Sequence, residues 1–138
     1  MFFKSFILAI FFISTFSIIG LAQDEATQPE TPAITVDELV ICTGIEERQP
    51  VGVDTAFVKT VGQLYCFVKL SSESNDTSIF HTWFYNDKEM AKVELSVKGK
   101  TWRTWSSKRI VEDWVGNWKV EVTSLTGDVL KTAEFIVK

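Results

Sequence analysis

Between Leu39 and Val137 the apolar residues recur at every second position, and no stretch carries the three-and-four spacing of an amphipathic helix. A period of two belongs to an extended strand with one face buried, because successive side chains point to opposite sides of the chain. The cleanest row runs through Ala91, Val93, Leu95 and Val97, with Lys92, Glu94, Ser96 and Lys98 between them. Leu64, Cys66, Val68 and Leu70 alternate in the same way with Tyr65, Phe67 and Lys69, and Trp118, Val120 and Val122 form a further row. Leu39, Ile41 and Ile45 mark a first strand, residues 56–59 a short second one, residues 101–107 a later one and residues 130–137 the last. Residues 79–85 are aromatic on both faces, which suits a central strand. Residues 108–115 form a longer crossing with room for one helical turn. Asn86-Asp87, Gly99-Lys100 and Thr126-Gly127-Asp128 separate the rows with turn-forming residues. Seven to eight short strands punctuated in this way predict an all-β fold, an antiparallel immunoglobulin-like β-sandwich over residues 36–138.

What precedes the strands is of another kind. Lys4 leads an apolar stretch over residues 6–19, and Gly20-Leu21-Ala22 supplies the small residues that a signal peptidase needs. Residues 1–22 therefore read as a signal peptide cut between Ala22 and Gln23. The rival is an uncleaved membrane anchor, since about 20 apolar residues suffice to span. Residues 23–35 are polar, with Pro29, Pro32 and three acidic side chains, and read as a flexible tether. Export places the domain outside the cytoplasm, periplasmic or secreted. The formal net charge of −4, with lysines scattered through the chain, leaves no continuous cationic surface for nucleic acid.

Three aromatic motifs resemble the bacterial domain-of-unknown-function 2914 family: His81-Thr82-Trp83-Phe84-Tyr85, Trp102-Arg103-Thr104-Trp105-Ser106-Ser107 and Gly116-Asn117-Trp118-Lys119-Val120. Ile41-Cys42-Thr43-Gly44-Ile45 with Arg48 and Pro50, Leu64-Tyr65-Cys66-Phe67, and Gly127-Asp128-Val129-Leu130 with Phe135 extend the resemblance over residues 39–138. It implies a β-rich domain, often exported or attached to a membrane segment, and it carries no family catalytic residues.

Few side chains offer chemistry. Cys42 and Cys66 permit one disulfide in an oxidising compartment, contributing roughly 3 kcal/mol in the loop-entropy model; the alternative is two buried free thiols. His81 is the one histidine, so a metal site lacks ligands and no cofactor is called for. Ser106 and Ser107 sit inside a strand pattern without a nucleophile elbow. The most suggestive group is aromatic and cationic. His81, Trp83 and Tyr85 share one face of a strand, and Arg103, Trp105 and Ser107 share one face of another. If those faces coincide they form a ledge of rings beside a guanidinium, suited to sugar faces or apolar side chains. Against this stands Trp83 as a core tryptophan, with Arg103 at the rim. Burying Arg103 without a partner would be costly, so Trp102 is expected inward, and Arg103 and Trp105 outward.

The expected function is a non-enzymatic, extracytoplasmic binding module that recognises an envelope glycan or an envelope protein partner. A purely structural accessory domain is the rival, and a cryptic hydrolase the third reading.

Overall fold

The computed structural model describes residues 33–138. The expected signal peptide, its cut between Ala22 and Gln23, and most of the expected tether lie outside the described residues. Within them the period-two rows become ten strands: β1 (Ile34–Cys42), β2 (Gly44–Glu46), β3 (Gln49–Val51), β4 (Ala56–Phe57), β5 (Gln63–Ser72), β6 (Thr77–Tyr85), β7 (Lys88–Val97), β8 (Thr101–Arg109), β9 (Gly116–Ser124) and β10 (Val129–Val137). Three of these are only two or three residues long, which accounts for the excess over the expected seven to eight. No described helix is long and apolar enough to cross a membrane.

The long strands make two facing sheets in a sandwich-like arrangement, one ordered β1-β5-β8 and the other β4-β10-β9-β6-β7. Their inner rows are the ones the alternation marks. Leu64, Cys66, Val68 and Leu70 of β5 meet Ile79 and Trp83 of β6 and Val120 and Val122 of β9, all fully buried. Phe135 sits at the aromatic centre, edge-on to Phe57 and Trp83 and stacked 5.9 Å from Trp118. Such contacts add to the free energy gained by burying the rings.

The structure departs from the sequence expectations in four places. β1 begins at Ile34, with Ile34 and Thr35 opposite Ser72 and Ser71, so two residues assigned to the tether pair in a sheet. Ile45 leaves the first strand and joins a separate hairpin, opposite Pro50. The short β4 runs parallel to β10, which makes that sheet mixed. The 110–115 crossing holds no helix; a Trp114 N–H to Val111 carbonyl bond of 3.0 Å turns the chain there.

Two tight turns set the hairpins. Glu47 and Arg48, and again Asn86 and Asp87, have positive φ. That is the signature of the two-residue turn whose twist matches antiparallel strands. Asn and Asp tolerate this conformation better than most residues, and they stand at the β6–β7 turn, where they shape a surface described below.

Core position and edge position should separate in stability. Leu70 is fully enclosed, whereas Leu95 lies half-buried on β7, the outermost strand of its sheet. Leu70→Ala should cost about 2–5 kcal/mol, and Leu95→Ala less than half of that, as read by denaturant unfolding.

Candidate functional site

The strand register decides which aromatic residues can meet. On β6 the inward row holds His81 and Trp83, both fully buried, and Tyr85, half-buried with its hydroxyl donating to the Val115 carbonyl at 2.7 Å. On β8, Arg103 and Trp105 are half-buried and Ser107 is exposed. Arg103 stands opposite Lys69, Trp105 opposite Phe67 and Ser107 opposite Tyr65, so these three lie on the outer side of the three-stranded sheet. Trp102 stands opposite the core residue Leu70, as the inward parity requires. The two rows therefore occupy different sheets and opposite sides, and the ledge they would form together is not assembled.

What β6 meets instead is Ser106, a residue from the inward row of β8. The Trp83 indole N–H donates to Ser106 Oγ at 3.0 Å, and His81 Nδ1 lies 2.7 Å from the same oxygen. The hydroxyl accepts from the indole and shares a hydrogen bond with His81 Nδ1 whose direction follows the ring tautomer. His81 Nε2 is buried without a partner among the described residues. Burial pushes the His81 pKa down from 6.5 to about 4. Sequence reasoning passed over Ser106 as a nucleophile. The usable signal was that a buried indole N–H needs an acceptor and that Ser106 shares parity with Trp102.

The outer side of the three-stranded sheet is not an open face. Phe67 is fully buried although its row points away from the core. The β2–β3 hairpin folds back across it: Arg48 at the turn donates to the Arg103 carbonyl at 3.1 Å, and its guanidinium lies 5.5 Å from the Trp102 ring centroid. Cys42 is enclosed beneath the base of the hairpin, where burial raises its pKa against the lowering effect of backbone hydrogen bonds at Gly44 and Val51. Ile41, not Cys42, stands opposite Cys66. The two thiols thus face opposite sides of the sheet, and both are free and buried. Burial pushes the Cys66 thiol up as well.

An open concave surface lies elsewhere, on the outer side of the five-stranded sheet beside the β6–β7 turn. It is an open groove of about 680 Å³. Register brings its floor together from three distant parts of the chain, for Lys119 stands opposite both Phe84 and Glu134. The wall is fixed by the turn. Asn86 N–H donates to the Asn117 carbonyl at 2.8 Å, and Asn117 N–H donates to Asn86 Oδ1 at 3.1 Å. Gly116 makes this approach feasible, since a Cβ there would lie 2.9 Å from Asn86 Oδ1 and its φ is +142°.

Lys119 is already engaged. Its ammonium lies 4.9 Å from the Phe84 ring centroid, 3.5 Å from Glu121 and 3.9 Å from Asp87. The Asn117 side-chain amide and the Glu134 carboxylate line the groove and make no side-chain hydrogen bond to any described residue. Such a surface offers donors and acceptors around an aromatic ring, without a nucleophile or a metal cluster; no group of three ligating side chains occurs among the described residues. Phe84, Asn117, Trp118, Lys119 and Phe135 enter the sequence reading only within the family motifs and strand rows, and none of the groove residues is named there as a binding residue. Asn86-Asp87 reads there as a turn alone, and an outward Phe84 in a row aromatic on both faces gives no sign of which side is open.

Residues 76–137 match the model of a family described as protein of unknown function (DUF2914). The match bears out the resemblance drawn from the aromatic motifs and covers β6 to β10 almost entirely. No curated protein matches the chain. Similar solved structures include a beta-glucosidase from Listeria innocua in complex with glucose, 10% identical with a TM-score of 0.43 over 77% of this chain. A second structure of beta-glucosidase from Listeria innocua is 11% identical with a TM-score of 0.42 over 77% of this chain. The chain spans 16% of the length of those enzyme chains.

The buried imidazole makes stability depend on pH. In the unfolded chain His81 takes a proton below about 6.5, whereas in the folded protein it does so only below about 4. The unfolded state therefore binds more protons across that window. The stability present above pH 6.5 should fall by about 3 kcal/mol on going down to pH 4. Urea unfolding at a series of pH values should show this slope, and His81→Gln should flatten it.

Proposed function

Starting from a β domain whose residues 76–137 match the DUF2914 family, we propose that the protein is a non-enzymatic, extracytoplasmic binding module that holds an envelope glycan in the groove beside the β6–β7 turn. The observation that carries this reading is the pair of unengaged polar groups, the Asn117 amide and the Glu134 carboxylate, lining an open groove together with Phe84. Sugars present hydroxyl groups around an apolar ring face, and amides, carboxylates and aromatic rings complement both. The leader pattern of Lys4, the apolar run and Gly20-Leu21-Ala22 supports an extracytoplasmic location.

Two further features bear on the reading. His81 and Ser106, the one histidine–serine contact among the described residues, are sealed in the core, which favours binding over hydrolysis. The strand orders also support an immunoglobulin-like sandwich. β1-β5-β8 faces β10-β9-β6-β7, the short β4 pairs parallel with β10, and a buried tryptophan stands on β6 next to a buried cysteine on β5.

The test is retention of soluble envelope saccharides by the full chain, measured by titration calorimetry. Asn117→Ala and Glu134→Gln should each weaken binding about tenfold, the equivalent of about one hydrogen bond to a charged or polar group, with the melting midpoint unchanged. Loss of an envelope protein in Trp105→Ala or Arg103→Ala, with the groove variants unaffected, would move the site to β8 and the partner to a protein. If no variant changes retention of anything, the domain is structural.

A further inference from the structure

A second cleft, of about 300 Å³, opens where the segment after β4 meets the segment after β8. Backbone bonds pin both sides. Lys59 N–H donates to the main-chain oxygen of Lys138 at 2.8 Å, and Ile110 N–H donates to the Gly62 carbonyl at 2.9 Å. Gln63 stands opposite Arg109 in the register. These contacts hold Lys59 and Arg109 at the lining of one cleft, together with Thr60 and Gly62.

Neither cation has a carboxylate within ion-pair distance among the described residues; the ion pairs there involve only Lys98 and Lys119. This is notable in a chain whose formal charge is −4, where acidic partners outnumber basic ones. The backbone N–H groups of Thr60, Gly62, Val111 and Glu112 also donate to no described acceptor. The Glu112 carboxylate lines the same cleft and subtracts from its positive charge without cancelling both cations.

We propose that this cleft is an anion site that takes a tetrahedral oxyanion, a phosphate group either free or carried as an ester. A guanidinium supplies forked N–H donors to such a group, and a lysine ammonium supplies a compact charge. The site is independent of the glycan groove, since no residue lines both.

Titration of the full chain with inorganic phosphate, at constant ionic strength and neutral pH, tests it through the amide resonances of Thr60, Gly62 and Val111. Saturable shifts are expected, weakened about tenfold or more in Lys59→Ala/Arg109→Ala, as loss of two charge-assisted contacts implies. Glu112→Gln should strengthen binding by removing the opposing charge. Tighter binding of glucose 6-phosphate than of inorganic phosphate would mark the ester as the source, and equal binding the free ion. Shifts that fail to saturate, that acetate reproduces equally, or that survive in the double variant would overturn the proposal.

Discussion

A single hydroxyl joins the two sheets at their centre. Ser106 belongs to β8 of the three-stranded sheet, and the indole and imidazole it satisfies belong to β6 of the five-stranded one. Apolar packing between sheets is non-directional and tolerates sliding, whereas a shared hydrogen-bond acceptor in the interior does not. Moving β8 by one residue would turn Ser106 outward and leave a buried indole N–H without an acceptor, at a cost of about 1–3 kcal/mol. The surrounding residues, Cys66, Trp83 and Val120 among them, are fully enclosed, so water cannot substitute. The contact thus ties the register of β8 to that of β6 across the sandwich.

That covered face shows how the same strand can carry apolar residues on both sides. β5 buries Leu64, Cys66, Val68 and Leu70 in the main core and Phe67 on the reverse side, under the β2–β3 hairpin. The hairpin closes a second, smaller apolar layer, and its turn is anchored through Arg48 to the edge strand β8. The outward tryptophan of β8, Trp105, is half-buried, which weakens its standing as a free recognition surface.

Much of the architecture could be read from residue order alone. The rows of β5, β7 and β9, the internal position of β6, and the inward Trp102 against the outward Arg103 and Trp105 all followed from parity and the expense of burying a charge. Parity, however, states only which residues of one strand share a side. It does not say which strands become neighbours, and so it could not tell that Trp83 and Trp105 would lie on different sheets. The groove was illegible for the same reason: Phe84, Lys119 and Glu134 are joined by cross-strand register, not by spacing. Ile45 misled because it continues the apolar pattern of β1 across Thr43 and Gly44, where the chain in fact leaves its first sheet.

The parallel pairing of β4 with β10 has a bearing on how the domain behaves in company. β10 is bonded to β9 along one side, and on the other β4 covers only Ile136 and Val137. The uncovered stretch would otherwise offer a row of unpaired backbone groups to another chain. It carries Lys131 and Glu134, both exposed; charged side chains on a bare margin discourage intermolecular strand addition. A two-residue strand and two charges together thus make the β10 margin a poor template for another strand.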